Sequence, residues 1–375
     1  MSVRLDGPAR PAASSLLVLV LAVVIAGCRA SSPGAPVPPV ASPSPSAVPS
    51  DGPVEPAATP AQAASPSFEG HAAAGLAFVQ PAGAGSAVSH IFVVEADGSL
   101  RQVTGVSRPE STGATFPVWS PDGSRLLFAP PKIGGASNWA VSVVNADGSD
   151  ERPVAPLQDE YTGPFSWSPD GTSILYGDLH EADGPMMWLA DVASGERRYL
   201  GAGSVPRWAG AGDRITFMHL VEGPGDPAPL EPAIFVMGVE DAEPSEFARA
   251  LDAVWAPDGS AVLIQAAQDR LLMAGADGSN ASDFVQGWSP AWSPDGNAVV
   301  FAFDHDANGL PVLAAVDRSG QPLWAGAIGA SPAWSPDGTR IAVEISYPEP
   351  MIQVLDAATG ELLWEGRGSQ PAWRP

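Results

Sequence analysis

Four of the five histidines, His90, His180, His219 and His305, recur at matching places, each between one apolar stretch and the next. Asp178 and Asp304 stand close to two of them. Imidazole nitrogens and carboxylate oxygens are the donors of a metal site and the groups of acid–base chemistry, provided the fold brings separate segments together. A second pattern is local. Asp304-His-Asp306-Ala-Asn308-Gly309 sets oxygen-bearing side chains at alternate positions before a glycine, as calcium loops do at ligand positions 1, 3 and 5. Ala315 stands where such a loop has its bidentate glutamate, so calcium at Asp304, Asp306 and Asn308 would need further ligands or water. Asp, Asn and Gly are also the residues of a polar hairpin turn, and that is the expected role. The stretch from Leu220 to Pro232, with Glu222, Asp226 and Glu231, reads as the longest loop between strands, a tolerated insertion or a recognition loop.

No nucleophile elbow, zinc-binding His-Glu-x-x-His, phosphate loop or dinucleotide fingerprint occurs. Any chemistry would have to be assembled from distant segments, so the elements that position them matter more than local motifs.

Those elements repeat. Trp119-Ser120-Pro121-Asp122-Gly123 returns as Trp167-Ser168-Pro169-Asp170-Gly171, Trp292-Ser293-Pro294-Asp295-Gly296 and Trp334-Ser335-Pro336-Asp337-Gly338. Degenerate copies begin at Trp255, where Ala256-Pro257-Asp258-Gly259 follows, at Trp208, and at Trp373 two residues from the end. Successive tryptophans of this repeat, from Trp119 to Trp373, are 48, 41, 47, 37, 42 and 39 residues apart. That is the period of a four-stranded propeller blade. Each unit reads as a short apolar strand ending in Trp, a Ser-Pro-Asp-Gly turn, a β-branched run such as Arg340–Ile345, and a second run closed by a small turn such as Ala146-Asp147-Gly148. A fourth short strand follows. Proline pre-sets the turn, Asp binds nearby amides and Gly tolerates the exit. The repeat residues Trp119, Asp122, Trp167, Asp170, Trp208, Trp255, Asp258, Trp292, Asp295, Trp334, Asp337 and Trp373 are therefore expected to be architectural, with Trp packing between blades.

On this unit, residues 68–375 resemble the TolB-type, WD-like β-propellers. The resemblance implies an all-β fold. The first segment, Gly75 to Thr104, has three strands and no Trp-Ser-Pro-Asp-Gly, while the chain stops just after Gln370-Pro-Ala-Trp373. The two halves are expected to pair into one blade, closing a seven-bladed ring and leaving no free edge. TolB itself has six blades and a further domain, so its partners do not carry over. Asp356-Ala-Ala-Thr359-Gly360-Glu-Leu-Leu-Trp364 and Asp317-Arg-Ser319-Gly320-Gln-Pro-Leu-Trp324 look instead like quinoprotein-type repeats, which imply eight blades and an assembly lipoprotein. Propeller lyases, some of them metal-dependent, supply a third implied function: a carbohydrate-active enzyme at the central channel.

The N-terminal region reads as an address. Arg4 and Arg10 precede an apolar run from Leu16 to Ala26, the length of a secretory signal core and too short to span a bilayer. Ile25-Ala26-Gly27-Cys28 resembles the lipobox of bacterial lipoproteins, and Cys28 is the only cysteine. The resemblance implies that residues 1–27 are a cleaved signal peptide and that Cys28 is lipidated. Arg29 to Ser67 holds eleven prolines in 39 residues and no aromatic residue. With Cys28 it is expected to form a disordered Pro/Ala/Ser-rich tether over residues 28–67.

Composition narrows the partners. Eighteen Lys and Arg against 42 Asp and Glu give a net charge of −24, which argues against nucleic acid and against an anionic bilayer as the main ligand. The single cysteine excludes an internal disulfide framework. The expectation is a lipid-anchored protein of the bacterial cell envelope, outside the cytoplasm. Its propeller serves as a non-enzymatic scaffold for an envelope protein, peptide or glycan, with no cofactor unless calcium binds.

Overall fold

The computed structural model describes residues 70–375, except 82–87, 106–112, 130–138, 158–159, 162–164, 181–183, 210–211, 213, 226–227, 241–242 and 347–348. Cys28 and the whole of residues 1–67 lie outside the described residues.

Seven antiparallel sheets form the blades of a propeller. Within each blade, strands A to D run from the centre outward. Blade 1 has Thr115–Trp119, Arg125–Ala129, Trp139–Asn145 and Arg152–Leu157. Blade 2 has Ser166–Trp167, Ser173–His180, Gly184–Asp191 and Arg197–Ala202, and the short strand Glu160–Tyr161 also pairs with its strand B. Blade 3 has Ser204–Trp208, Arg214–Glu222, Leu230–Gly238 and Ser245–Ala248. Blade 4 has Asp252–Trp255, Ala261–Ala266, Arg270–Gly275 and Ser282–Gln286. Blade 5 has Trp288–Trp292, Ala298–His305, Pro311–Asp317 and Pro322–Ile328. Blade 6 has Ala330–Trp334, Arg340–Ile345, Met351–Asp356 and Leu362–Arg367.

Blade 7 is composite, as the two incomplete ends of the repeat require. Strand A is Ser369–Trp373 and strands B to D are Leu76–Pro81, Ser89–Val94 and Leu100–Gln102. Leu76 pairs with Trp373 and Ala77 with Ala372, so the last strand of the chain closes the first sheet. Arg374 then ties this blade to the next: its Nε donates to the Gly123 carbonyl at 2.7 Å and its guanidinium lies 5.2 Å from the Trp119 ring. The ring has seven blades rather than the eight of the quinoprotein likeness. The two quinoprotein-like turns are ordinary C–D turns, in which Asp317 and Asp356 accept amide N–H groups from the residues that follow. Trp324 after the first of them donates its indole N–H to Ala357 of the next blade at 2.8 Å.

A blade buries little by itself, and the apolar clusters accordingly lie across seams. Leu127, Val141 and Val143 of blade 1 pack with Ile174, Tyr176 and Ala190 of blade 2, all essentially inaccessible to solvent. At the inner edge the contact is directional. The strand A tryptophan of one blade donates its indole N–H to the carbonyl of the residue just before the tryptophan of the neighbouring blade. Trp119 donates to Ala372 at 3.2 Å, Trp167 to Val118 at 3.1 Å and Trp292 to Val254 at 3.1 Å. Trp334 donates to Ala291 at 3.1 Å and Trp373 to Ala333 at 3.0 Å. The buried indole N–H groups of Trp208 and Trp255, in the two degenerate copies followed by alanine, have no partner.

Strand A is also bent. Three residues before the tryptophan, Phe116, Val205, Ser289, Ser331 and Gln370 adopt a left-handed backbone with φ of 49 to 56°. The pairing with strand B slips at each of these places, which is the signature of a bulge. Neighbouring blades stabilise three of the turned-out amides. Phe116 N–H donates to the Gln370 side chain at 2.7 Å, Ser289 N–H to Gln265 at 3.0 Å and Gln370 N–H to Glu344 at 3.0 Å.

These seams predict an asymmetry. Trp292→Phe removes a buried donor from the Val254 carbonyl and is expected to cost about 1–3 kcal/mol, whereas Trp255→Phe removes an N–H with no partner and loses only packing. Urea unfolding of the two variants measures the difference, and equal losses would contradict the inner ring of bonds.

Candidate functional site

The Ser-Pro-Asp-Gly turns join strands A and B, and the Asp-Gly turns join strands C and D, so both sets lie on one rim. The B–C hairpins and the D–A connections lie on the other. In the first set the serine has a role that turn chemistry alone did not suggest. Ser120, Ser168, Ser293 and Ser335 each donate to the aspartate two residues on at 2.6 Å. The same hydroxyls accept the first amide of strand B, from Arg125, Ser173, Ala298 and Arg340, at 2.8–3.0 Å. The signal was in the sequence: serine is absent from the motif only in the degenerate copies. In one of these, Ala256 replaces it and Asp258 is held by Arg318 of blade 5 at 3.1 Å.

These bonds favour the ionised carboxylates. The Ser120 hydroxyl, then the Ser124 amide and hydroxyl, bring Asp122 down to about 2. The Ser260 amide and hydroxyl, joined by Arg318, bring Asp258 to about 2. Asp170 and Asp295 are lowered by the Ser168 and Ser293 hydroxyls and then by the amides of Thr172 and Asn297. None of them is poised as an acid or base near neutral pH.

The histidines share the opposite rim, but they stand on strands rather than in loops. His180 and His305 end strand B of blades 2 and 5, His219 lies within strand B of blade 3, and His90 lies in strand C of blade 7. Each described ring is engaged within its own blade. His90 Nδ1 is 3.5 Å from the Thr104 hydroxyl, His219 meets Phe235 edge-on at 6.2 Å, and His305 stacks on Trp288 at 5.0 Å. Burial lowers the pKa of His219. Asp178 is fully buried in strand B of blade 2, away from the surface such a site would need, and the His180 side chain lies outside the described residues. Among the described residues no group of three or more His, Cys, Asp or Glu side chains is gathered to hold a metal ion.

Asp304, Asp306 and Asn308 sit at the B–C hairpin of blade 5. Asp306 accepts the amides of Asn308 and Leu310 at 2.9 and 2.8 Å, and Gly309 N–H closes the turn on the Asp306 carbonyl at 3.0 Å. Asp304 accepts the His305 amide at 2.8 Å. This is the hairpin-turn geometry expected of the motif. The expected Leu220–Pro232 loop is shorter than the sequence suggested, because strands B and C of blade 3 extend into it. Leu220 pairs with Pro232 and Glu222 with Leu230, leaving 223–229 as the connection. Pro232 is tolerated because its strand needs no donor at that position.

No family model matches the chain, and no curated protein does. Solved structures share the architecture at low identity. TolB from Acinetobacter baumannii is 16% identical with a TM-score of 0.48, over 80% of this chain and 66% of that one. An oligogalacturonate lyase in complex with manganese is 15% identical with a TM-score of 0.51, over 67% of this chain and 75% of that one. A chain of a mitotic checkpoint complex is 14% identical with a TM-score of 0.53, over 68% and 80%. The fold is a seven-bladed β-propeller. Its Trp-Ser-Pro-Asp-Gly repeat resembles that of the TolB-type propellers.

Two outcomes follow. Folded Asp122 and Asp258 stay ionised down to about pH 2, whereas the unfolded carboxylates take up protons near 3.8. Between those values the unfolded chain binds more protons, so stability is complete above the upper one and declines as pH falls towards the lower. Thermal melts from pH 6 to pH 2 should show that decline, and Asp122→Asn should shrink it. For calcium, the amides already bound by Asp306 predict an unchanged Tm when millimolar calcium is added, and a rise above roughly 3 °C would establish a binding site.

Proposed function

We propose that this chain is a lipoprotein of the bacterial cell envelope, anchored through Cys28, whose propeller acts as a non-enzymatic binding scaffold outside the cytoplasm. The observation that carries the scaffold reading is the use made of the acidic and imidazole groups. The repeat aspartates are bound by their own turns, and His90, His180, His219 and His305 lie on four different blades. A closed ring so built offers two rims for recognition. The anchor reading rests on the sole cysteine and its place after the apolar run. Among the described residues no helix is long and apolar enough to cross a membrane. The tether over residues 28–67 would then set the propeller at a distance from the bilayer, and the partner would be an envelope protein, a peptide or a glycan.

A second reading, a lyase-like enzyme at the channel, is favoured by one observation, the shared architecture with the oligogalacturonate lyase. One set of preparations tests both. The natural chain and a Cys28→Ser version are expressed in a bacterial host, labelled with a fatty-acid analogue, crosslinked in native envelopes and captured for mass spectrometry. Acyl label on the natural chain alone, with one envelope protein enriched only by the anchored form, is the expected result. Label on neither form defeats the anchor. Conversion of oligogalacturonate by the purified protein with manganese, and no enriched protein, would replace the scaffold with the enzyme.

A further inference from the structure

Blade 3 breaks a rule that most of the ring keeps. The residue before the strand A tryptophan stands opposite a residue of strand B, and the two share the face turned to the following blade. The pairs are Val118 with Leu127 in blade 1, Val254 with Leu263 in blade 4, Ala291 with Val300 in blade 5, Ala333 with Ala342 in blade 6 and Ala372 with Ala77 in blade 7. All are apolar and pack into the seams. In blade 2 the pair is Ser166 with Leu175, and the Ser166 hydroxyl is used, accepting Trp208 N–H at 3.4 Å. Blade 3 instead sets Arg207 opposite Thr216. The Thr216 hydroxyl has no hydrogen-bond partner among the described residues, although the residue is only 4% exposed. The guanidinium is half used. Its Nη1 donates to the two carboxylate oxygens of Asp252 in blade 4 at 3.2 and 3.1 Å, whereas Nε and Nη2 have no partner among the described residues. Asp252 is itself fixed, since it accepts Ala253 N–H at 2.8 Å.

An open cavity of about 350 Å³ lies against this pair, walled by Arg207, Thr216, Val254, Ala256 and Pro257 among others. Among the described residues Arg207 is the one charged group of that wall, and Asp252 lines a smaller cavity beside it. The indole N–H groups of Trp208 and Trp255 are sealed from solvent and take no part.

We propose that this seam binds a small organic carboxylate with an apolar body, its carboxylate on the free edge of the Arg207 guanidinium and on the Thr216 hydroxyl. A guanidinium has donors and no acceptor, so the group that meets it must bring lone pairs. Nε and Nη2 form a planar fork that a carboxylate fills with two parallel bonds, and Asp252 holds the plane of that fork through Nη1. A polyanion such as phosphate fits less well. One guanidinium already shared with Asp252 does not offset a double charge in a protein of net charge −24. The rest of the wall is apolar, which selects the body of the ligand, and the volume is at the small end of ligand pockets. A free organic acid and the C-terminus of a short apolar peptide both present this group.

The inference goes beyond the scaffold reading, and its test uses neither membrane nor cell extract, so the two can fail separately. The full chain, as Cys28→Ser, is titrated by calorimetry with phenylpropionate, with its neutral isostere phenylpropionamide, with acetylalanylphenylalanine bearing a free C-terminus, and with inorganic phosphate. At least one of the two carboxylates should bind at one site per chain, about tenfold or more tighter than the amide or phosphate. Binding of phenylpropionate assigns a free acid, and binding of the dipeptide alone assigns a peptide terminus. Arg207→Gln should weaken binding about tenfold or more, and Thr216→Val, which keeps the shape of the side chain, about three- to tenfold. The second variant decides the matter if the first does not fold. Equal binding of the acid and its amide overturns the proposal, as does tighter binding of phosphate. Affinity unchanged in either folded variant, or silence with every probe, overturns it too.

Discussion

The inner tryptophan of each repeat bears on nearly everything else in this ring. A four-stranded blade has two apolar faces and cannot bury either alone, so stability comes from neighbours. The indole supplies area and one polar atom, and the polar atom makes the packing directional. With its N–H on the carbonyl before the tryptophan of the preceding blade, a blade cannot slide along its neighbour without leaving a buried donor and a buried acceptor unpaired. Repeated through five seams, that constraint fixes the relative height of the blades and the circle in which the last strand meets the first.

The turns next to these tryptophans serve the same end. Ser120 holds Asp122 and the first amide of strand B at once, so strand B leaves the turn at a set angle and carries its apolar residues into the seam. A consequence is electrostatic. Acidic residues outnumber basic ones by 42 to 18, yet many of the aspartates are fastened to amides and hydroxyls of their own turns. Much of the negative charge therefore belongs to the architecture of one rim. Arginines do the complementary work: Arg125 lies over the Trp167 ring and Arg374 over the Trp119 ring, each joining one blade to its neighbour.

The fold was legible because its repeat is short-range and strict. Trp, Pro, Asp and Gly at fixed offsets marked each turn, and the half-repeats at Gly75 and Gln370 marked the closing blade. The loops were less legible. Leu220 to Pro232 looks like a loop by its prolines and glycines, yet cross-strand pairs such as Val221 with Glu231 continue the hairpin through most of it. Pairing between strands is not written in local composition. The histidines illustrate a related limit: spacing put them on one rim and in different blades, but in loops, whereas the structure sets them on strands with His90, His219 and His305 each against a neighbour in its own blade. The bulges at Phe116, Val205, Ser289, Ser331 and Gln370 were not foreseen, since four different kinds of side chain adopt one backbone state. Position in the ring imposes that state, and residue preference does not.

Departures from a strict repeat are then informative. The copies at Trp208 and Trp255 lose the serine, and the same two tryptophans lose the inner bond. Relaxed repeats in these two adjacent blades have a common physical effect: blade 3 lacks the inner indole bond on both of its sides. Blade 3 remains attached by apolar packing against blade 2 and by side-chain contacts, among them Arg198 with Glu240 and Arg207 with Asp252. Partly exposed ion pairs of this kind are weaker and more easily exchanged than a buried indole bond. The ring thus has five seams fixed by an indole bond and two, on either side of blade 3, held by apolar packing and side-chain contacts in its place.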